Sequence, residues 1–210
     1  MKKLKSTLPN MFLSLMTICA VSGVILAGAN MYTAGPIALS KAAALEKAII
    51  AVTPDFDNNP LEDAYKGVTF DGDSLLIYPV TKDGQPAGVA VDSNTKNGFS
   101  GEIKIIVGFD TEGRLINYSV LQHTETPGLG SKMEEWFRAD RNRQSVIGRS
   151  LAEGNLAVTK DGGDVDAITA STITSRAFLN AVNRAYSAYK GTTTDTTTGA
   201  TATKKGDGNE

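Results

Sequence analysis

Cysteine and histidine are nearly absent from this chain, which has one of each, Cys19 and His123. Cys19 lies in an uncharged run near the amino terminus, so the rest of the sequence can form no internal disulfide. Nor can the chain by itself assemble a four-cysteine zinc site, an iron–sulfur cluster or a histidine-rich haem site. Any redox chemistry therefore falls to an organic cofactor. A basic excess is missing as well: the net charge is -2, with Lys and Arg scattered singly through the body of the chain, which argues against nucleic acid as a partner. No dinucleotide fingerprint, P-loop or internal repeat is visible.

Charge is missing altogether from residues 11–29, MFLSLMTICAVSGVILAGA. As a helix this run is roughly 29 Å long, close to the hydrocarbon thickness of a bilayer. Lys2, Lys3 and Lys5 precede it, and the positive-inside tendency keeps them in the cytoplasm and sends everything after Asn30 across. The small-residue triplet at 27–29 fits a signal-peptide cleavage site, but the run exceeds the ~7–15 residue core of such peptides, which favours an uncleaved anchor. Cys19 sits in mid-span rather than after a small-residue cleavage site, which disfavours a lipid-modified cysteine. Both leading readings export the domain.

Past the apolar run, a hydrophobic fraction of 41% is enough for one globular domain. Residues 33–52 read as a helix bounded by Pro36 near its start and Pro54 after its end, and residues 53–67 as a polar connection. From 74 to 122 the segments LLIYPV, AGVAVDS, EIKIIVGFD and LINYSVLQ are separated by KDGQP, NTKNG and DTEGR, the pattern of strands joined by short turns. Such connections predict an antiparallel sheet. Residues 131–139 read as a short helix and 155–168 as a strand, a turn and an extended approach. From Ser175 onward, Phe178, Ala181, Val182, Ala185 and Tyr189 recur at helical spacing, predicting a closing helix with one apolar face. The fold class is α+β. The expected organisation is a cytoplasmic basic tail (1–10), a transmembrane anchor (11–29), an extracytoplasmic domain (30–190) and a disordered Thr/Gly-rich tail (191–210).

Two stretches could carry chemistry. DAITASTITS, residues 166–175, places Thr169, Ser171, Thr172 and Thr174 at the entrance of the closing helix. Capping explains one hydroxyl there, whereas a helix start is also a natural seat for a phosphate carried on one of them. HTETPGLG, residues 123–130, is a turn in which Pro127, Gly128 and Gly130 let backbone approach a planar ligand or simply reverse the chain. His123 has no second histidine and no nucleophile partner to complete a catalytic set.

Together and in this order, the two motifs resemble those of the FMN-binding G subunit of the Rnf ion-translocating electron-transport complex. The related C subunit of the sodium-pumping NADH:quinone reductase shares the plan, although its longer spacing between anchor and flavin motif fits less well. The resemblance covers residues 1–190. It implies an electron-carrying component of a ferredoxin:NAD oxidoreductase complex in a prokaryotic inner membrane, single-pass, with the domain on the extracytoplasmic side. Such a component works with other membrane subunits and is not a complete enzyme alone.

The resemblance further implies covalent FMN. A flavin transferase, with FAD as donor, esterifies the threonine that ends a D-x-x-[S/T]-G-A-T motif. Asp166, Thr169, Ala170, Ser171 and Thr172 take those places, making Thr172 the attachment residue. Glu125, Thr126, Gly128 and Leu129 would lie against the isoalloxazine ring, with Thr174 and Ser175 near the phosphate. The sequence departs from the motif where Ala170-Ser171 replaces Gly-Ala. An uninterrupted DTTTGAT also occurs at 195–201 in the low-complexity tail, making Thr201 a second candidate. Two rival readings stand beside this one: a stand-alone membrane-tethered flavin carrier, and a tethered module that binds a small ligand without redox work.

Overall fold

The computed structural model describes residues 7–152 and 154–191. The basic residues Lys2, Lys3 and Lys5 and the second motif ending at Thr201 lie outside the described residues. The chain divides into two compact units after Ala44.

The first unit is helical. Helix α1, Leu8–Val52, runs without interruption through the uncharged segment and on past it, and it is long and apolar enough to cross a membrane by length and composition. Pro36 therefore lies inside a helix and does not mark the start of a separate one. Proline lacks an N–H, but the strong helix formers around it (Ala34, Leu39, Lys41, Ala42) keep the chain helical on both sides.

In the second unit, five strands form one antiparallel meander in the order β1-β2-β3-β4-β5: β1 (Tyr65–Val68), β2 (Ser74–Lys82), β3 (Gln85–Thr95), β4 (Ile103–Phe109) and β5 (Leu115–Gln122). Four of these are the predicted strands. β1 falls at the end of what the sequence presents as a polar connection; it is four residues long and covers only an edge.

β4 explains the layering. Ile105, Ile106 and Val107 are all fully buried, so side chains on both sheet faces are covered, as the unbroken apolar run implies. On one face Tyr78, Val80, Ala90 and Ile106 meet Ala48, Ile49 and Val52 from the end of α1. Gly108 makes this approach possible, since a Cβ there would lie 1.7 Å from the Val52 carbonyl oxygen. The other face carries the larger core, in which Ile77, Val91, Ile105 and Val107 pack with Phe178, Ala181, Val182 and Ala185.

Those last residues belong to α3, Thr172–Lys190. The expectation of one apolar face is too modest, because Asn180, Asn183, Arg184 and Ser187 are buried as well. Each has partners that offset the cost of burial. Asn180 accepts from Thr95 at 3.0 Å, Asn183 brackets the Leu156 main chain with two 3.0 Å bonds, Ser187 accepts from the Phe70 N–H, and Arg184 is ion-paired with Asp71 and Asp73.

Between β5 and α3, the predicted short helix is a 3-10 turn (Gly130–Lys132) followed by α2 (Met133–Trp136). The expected strand at 155–158 is reduced to a single parallel bridge, Val158 to Val165, around a second 3-10 turn (Thr159–Asp161). Phe137 stacks on Phe178 at 4.5 Å, and Tyr118 meets Phe178 edge-on at 4.8 Å. This aromatic trio ties β5, the segment after α2 and α3 together, and it fixes the loop at 123–130 relative to the start of α3.

Candidate functional site

Three segments converge beside the start of α3: the β3–β4 loop, the loop after β5, and residues 170–174. They enclose a cavity of about 360 Å³ whose walls include Phe99, Glu125, Thr126, Leu129, Gly130 and Thr172. Its rim is apolar, with Phe99 67%, Ile173 47% and Leu129 41% exposed. Three large apolar side chains exposed together around one concave site suit an apolar ligand.

Glu125 forms the polar wall and is only 4% exposed. One carboxylate oxygen accepts the Ser100 N–H at 3.0 Å and the other accepts the Thr174 hydroxyl at 2.6 Å. A burial that would penalise a bare carboxylate is thus compensated by two donors from separate segments. Glycines stand on both sides: a Cβ at Gly98 or Gly130 would each lie 2.7 Å from a Glu125 oxygen. The Glu125 N–H donates to His123 Nδ1 at 3.1 Å, and His123 Nε2 lies 3.2 Å from Glu134. This pattern assigns the Nε2–H tautomer and makes His123 a brace for the loop. Gly128, at φ 75, donates its N–H to Ser131 Oγ at 2.9 Å and shapes the loop without lining the cavity.

The hydroxyl-rich entrance of α3 divides its labour. Ser171 is the N-cap residue, yet its side chain makes no cap bond. Ser175 Oγ instead accepts the Ile168 N–H and donates to the Ser171 carbonyl, both at 2.9 Å, knitting the approach segment to the helix. Thr174 is committed to Glu125. Thr169 is exposed, and its side chain does not line the cavity. Asp166 also stands away from it, with its carboxylate accepting the Arg143 N–H at 3.3 Å and its carbonyl accepting Trp136 Nε1 at 2.9 Å. Thr172, half-buried in the cavity wall, has its hydroxyl 3.3 Å from the Lys160 ammonium that donates to it.

Capping therefore does not account for the cluster. The first turn of α3 carries no acidic residue of its own, and the carboxylate that reaches it, Glu125, is taken up by Thr174 and the Ser100 N–H, so the positive end of the helix dipole at Thr172 still favours an anion. An apolar-rimmed cavity beside an anion-favouring helix start suits a ligand with a planar apolar part and a phosphate, which is the chemistry of FMN. Among the described residues no group of three or more His, Cys, Asp and Glu is placed to hold a metal ion.

Sequence reasoning singled out Glu125, Thr126, Leu129, Ala170, Ser171, Thr172 and Thr174, and the fold brings all seven to this cavity. It missed Phe99 and Lys160. Phe99 sits in a Gly- and Ser-rich loop, where a lone exposed aromatic is the available signal; Lys160 carries no signal of its own.

Residues 98–187 match the FMN-binding domain family, a span that contains every residue lining the cavity. Over longer stretches the chain is 35% identical to the G subunit of the ion-translocating oxidoreductase complex of Vibrio vulnificus, covering 78% of this chain and 80% of that protein. The corresponding protein of Haemophilus influenzae (strain PittEE) is 35% identical over 80% of this chain and 83% of its own length. That of Erwinia tasmaniensis is 40% identical, over 63% of this chain and 66% of its own. The chain belongs to the G-subunit family of the ion-translocating oxidoreductase complex.

Proposed function

We propose that this chain is the flavin-carrying electron relay of a membrane-bound, ion-translocating oxidoreductase complex, with FMN held covalently as a phosphate ester of Thr172. The observation that carries this reading is the position of Thr172: first residue of α3, half-buried in the wall of an apolar-rimmed cavity, and bonded to a lysine. Thr172 is the tether. Phe99, Leu129 and Ile173 would take the ring, Glu125 would present its polar wall, and the start of α3 with Lys160 would face the phosphate. FMN supplies the one- and two-electron chemistry that the chain, with one cysteine and one histidine, cannot supply itself.

Attachment exchanges one phosphorus–oxygen bond for another. The Thr172 oxygen bonds to the FMN phosphorus of FAD, AMP leaves with the electron pair of the broken pyrophosphate bond, and the hydroxyl proton passes to a base of the flavin transferase. Nothing is oxidised or reduced. The apolar run of α1 anchors the protein in a prokaryotic inner membrane with the folded unit on the extracytoplasmic side, where it exchanges electrons with other membrane subunits.

Expression with a flavin transferase, followed by solubilisation of membranes in mild detergent, tests this reading. The account expects a yellow protein that bleaches with dithionite, recovers on oxidation, keeps its flavin through acid precipitation and brings integral-membrane partners with it. A colourless protein, or flavin released by acid, would contradict it.

A further inference from the structure

The hydroxyl of Thr172 has a partner carried on a turn that is itself held in place. Lys160 lies on the 3-10 turn Thr159–Asp161, and three contacts fix that turn. The Asp161 carboxylate takes the Arg176 guanidinium through bonds of 2.6 and 2.8 Å, which anchors the turn to the same helix that Thr172 opens. The Thr159 N–H donates to the Val165 carbonyl at 2.9 Å. Gly163 closes the turn, where a Cβ would stand 2.1 Å from the Ala157 carbonyl oxygen. The backbone therefore holds Lys160 within reach of the start of α3, where its ammonium bonds to Thr172 at 3.3 Å. Arg176 is engaged by Asp161, and among the described residues Lys160 is the cation bonded to Thr172.

We infer that Lys160 is the positioning residue for esterification of Thr172: its ammonium holds the hydroxyl oxygen as the proton leaves and then pairs with the phosphodiester anion. This rests on the reading of Thr172 as the attachment site. In the exchange described above, one hydroxyl proton is lost and a neutral side chain becomes a singly charged diester, with AMP as the leaving group. The departing proton leaves partial negative charge on the attacking oxygen that Lys160 already touches, and the full charge of the product diester lies on the non-bridging phosphoryl oxygens next to it. A donor aimed at that oxygen before reaction favours the charged transition state over the neutral alcohol, and the same N–H then makes a charge-assisted bond to the diester.

The test uses the full chain, FAD and a flavin transferase of shown activity on a control substrate, with the rate read as FMN-sized mass appearing on the Thr172 peptide. Lys160→Met is expected to slow the initial rate about tenfold, and Lys160→Arg to restore it to within about threefold of wild type. Added salt should slow the wild type more than the Met variant, because only the wild type has the charge to screen. Lys160 is exposed, so circular dichroism melting of the three proteins should coincide. A Met variant that reacts at the wild-type rate would overturn the inference and leave Thr172 as the attachment site. An Arg variant as slow as Met would overturn the role of charge. Wild type without FMN on Thr172 would overturn both the inference and the reading on which it rests.

Discussion

The Thr174 hydroxyl and the Glu125 carboxylate, 49 positions apart in the chain, meet in a 2.6 Å hydrogen bond. That bond joins the first turn of α3 to the loop after β5 and closes the wall of the cavity. The second Glu125 oxygen is bonded to the Ser100 N–H, so a single buried carboxylate gathers all three segments of the site.

Replacing Thr174 by Val keeps the side-chain shape and removes the donor. One Glu125 oxygen is then buried without a partner, which costs about 1–3 kcal/mol. Urea unfolding should show a lower midpoint with unchanged slope for Thr174→Val, and Thr174→Ser should regain most of the loss. Equal stability of the Val variant and wild type would remove Glu125 as the organiser of the site.

Ala170 occupies the left-handed region at φ 62, at the position where the motif of the family has glycine. An L residue there costs about 1–2 kcal/mol, part of which glycine gives back through its freer unfolded state. Ala170→Gly should therefore stabilise the domain by a net of about 0.5–1 kcal/mol, read as a higher melting temperature. A lower melting temperature would mean that the Ala170 methyl makes contacts worth more than the strain.

Tyr118 has its phenol pushed up to about 12, chiefly by burial, and its hydroxyl donates to the Met133 carbonyl at 2.7 Å. In the unfolded chain a tyrosine ionises near 10. Between those values the folded state holds a proton that the unfolded state has lost, so stability falls as pH rises from about 10 to 12. Tyr118→Phe should cost about 0.5–1.5 kcal/mol at neutral pH, and its disadvantage should shrink through the alkaline window. A constant gap between the two proteins across that window would contradict the shift.

The strands from Ser74 to Gln122 and the closing helix were legible because alternation, turn residues and helical spacing all agree there. β1 was not, because Tyr-Lys-Gly-Val is too short and mixed to stand out from the polar segment before it. The buried polar side of α3 was equally hidden. Asn180, Asn183 and Arg184 lie outside the predicted apolar face, and their burial depends on Thr95, Leu156 and Asp73 from distant segments. At the site, Glu125, Thr126 and Leu129 from one motif and Ala170, Ser171, Thr172 and Thr174 from the other could be singled out in the sequence and reach the cavity, whereas Gly128, Thr169, Ser175 and Asp166 of the same motifs do not line it. Lys160 could not: what sets it apart is a bond to Thr172 that depends on the Arg176–Asp161 pair and the tight turn at Gly163.

The central claim is the ester on Thr172, and the most direct measurement is peptide mass after expression of wild type and Thr172→Ala with a flavin transferase. The account predicts an FMN-sized increment on the wild-type peptide that contains Thr172, and neither increment nor in-gel flavin fluorescence in the Ala variant. An unmodified Thr172 peptide in wild type, or flavin retained by the Ala variant on another peptide such as that of Thr201, would contradict it.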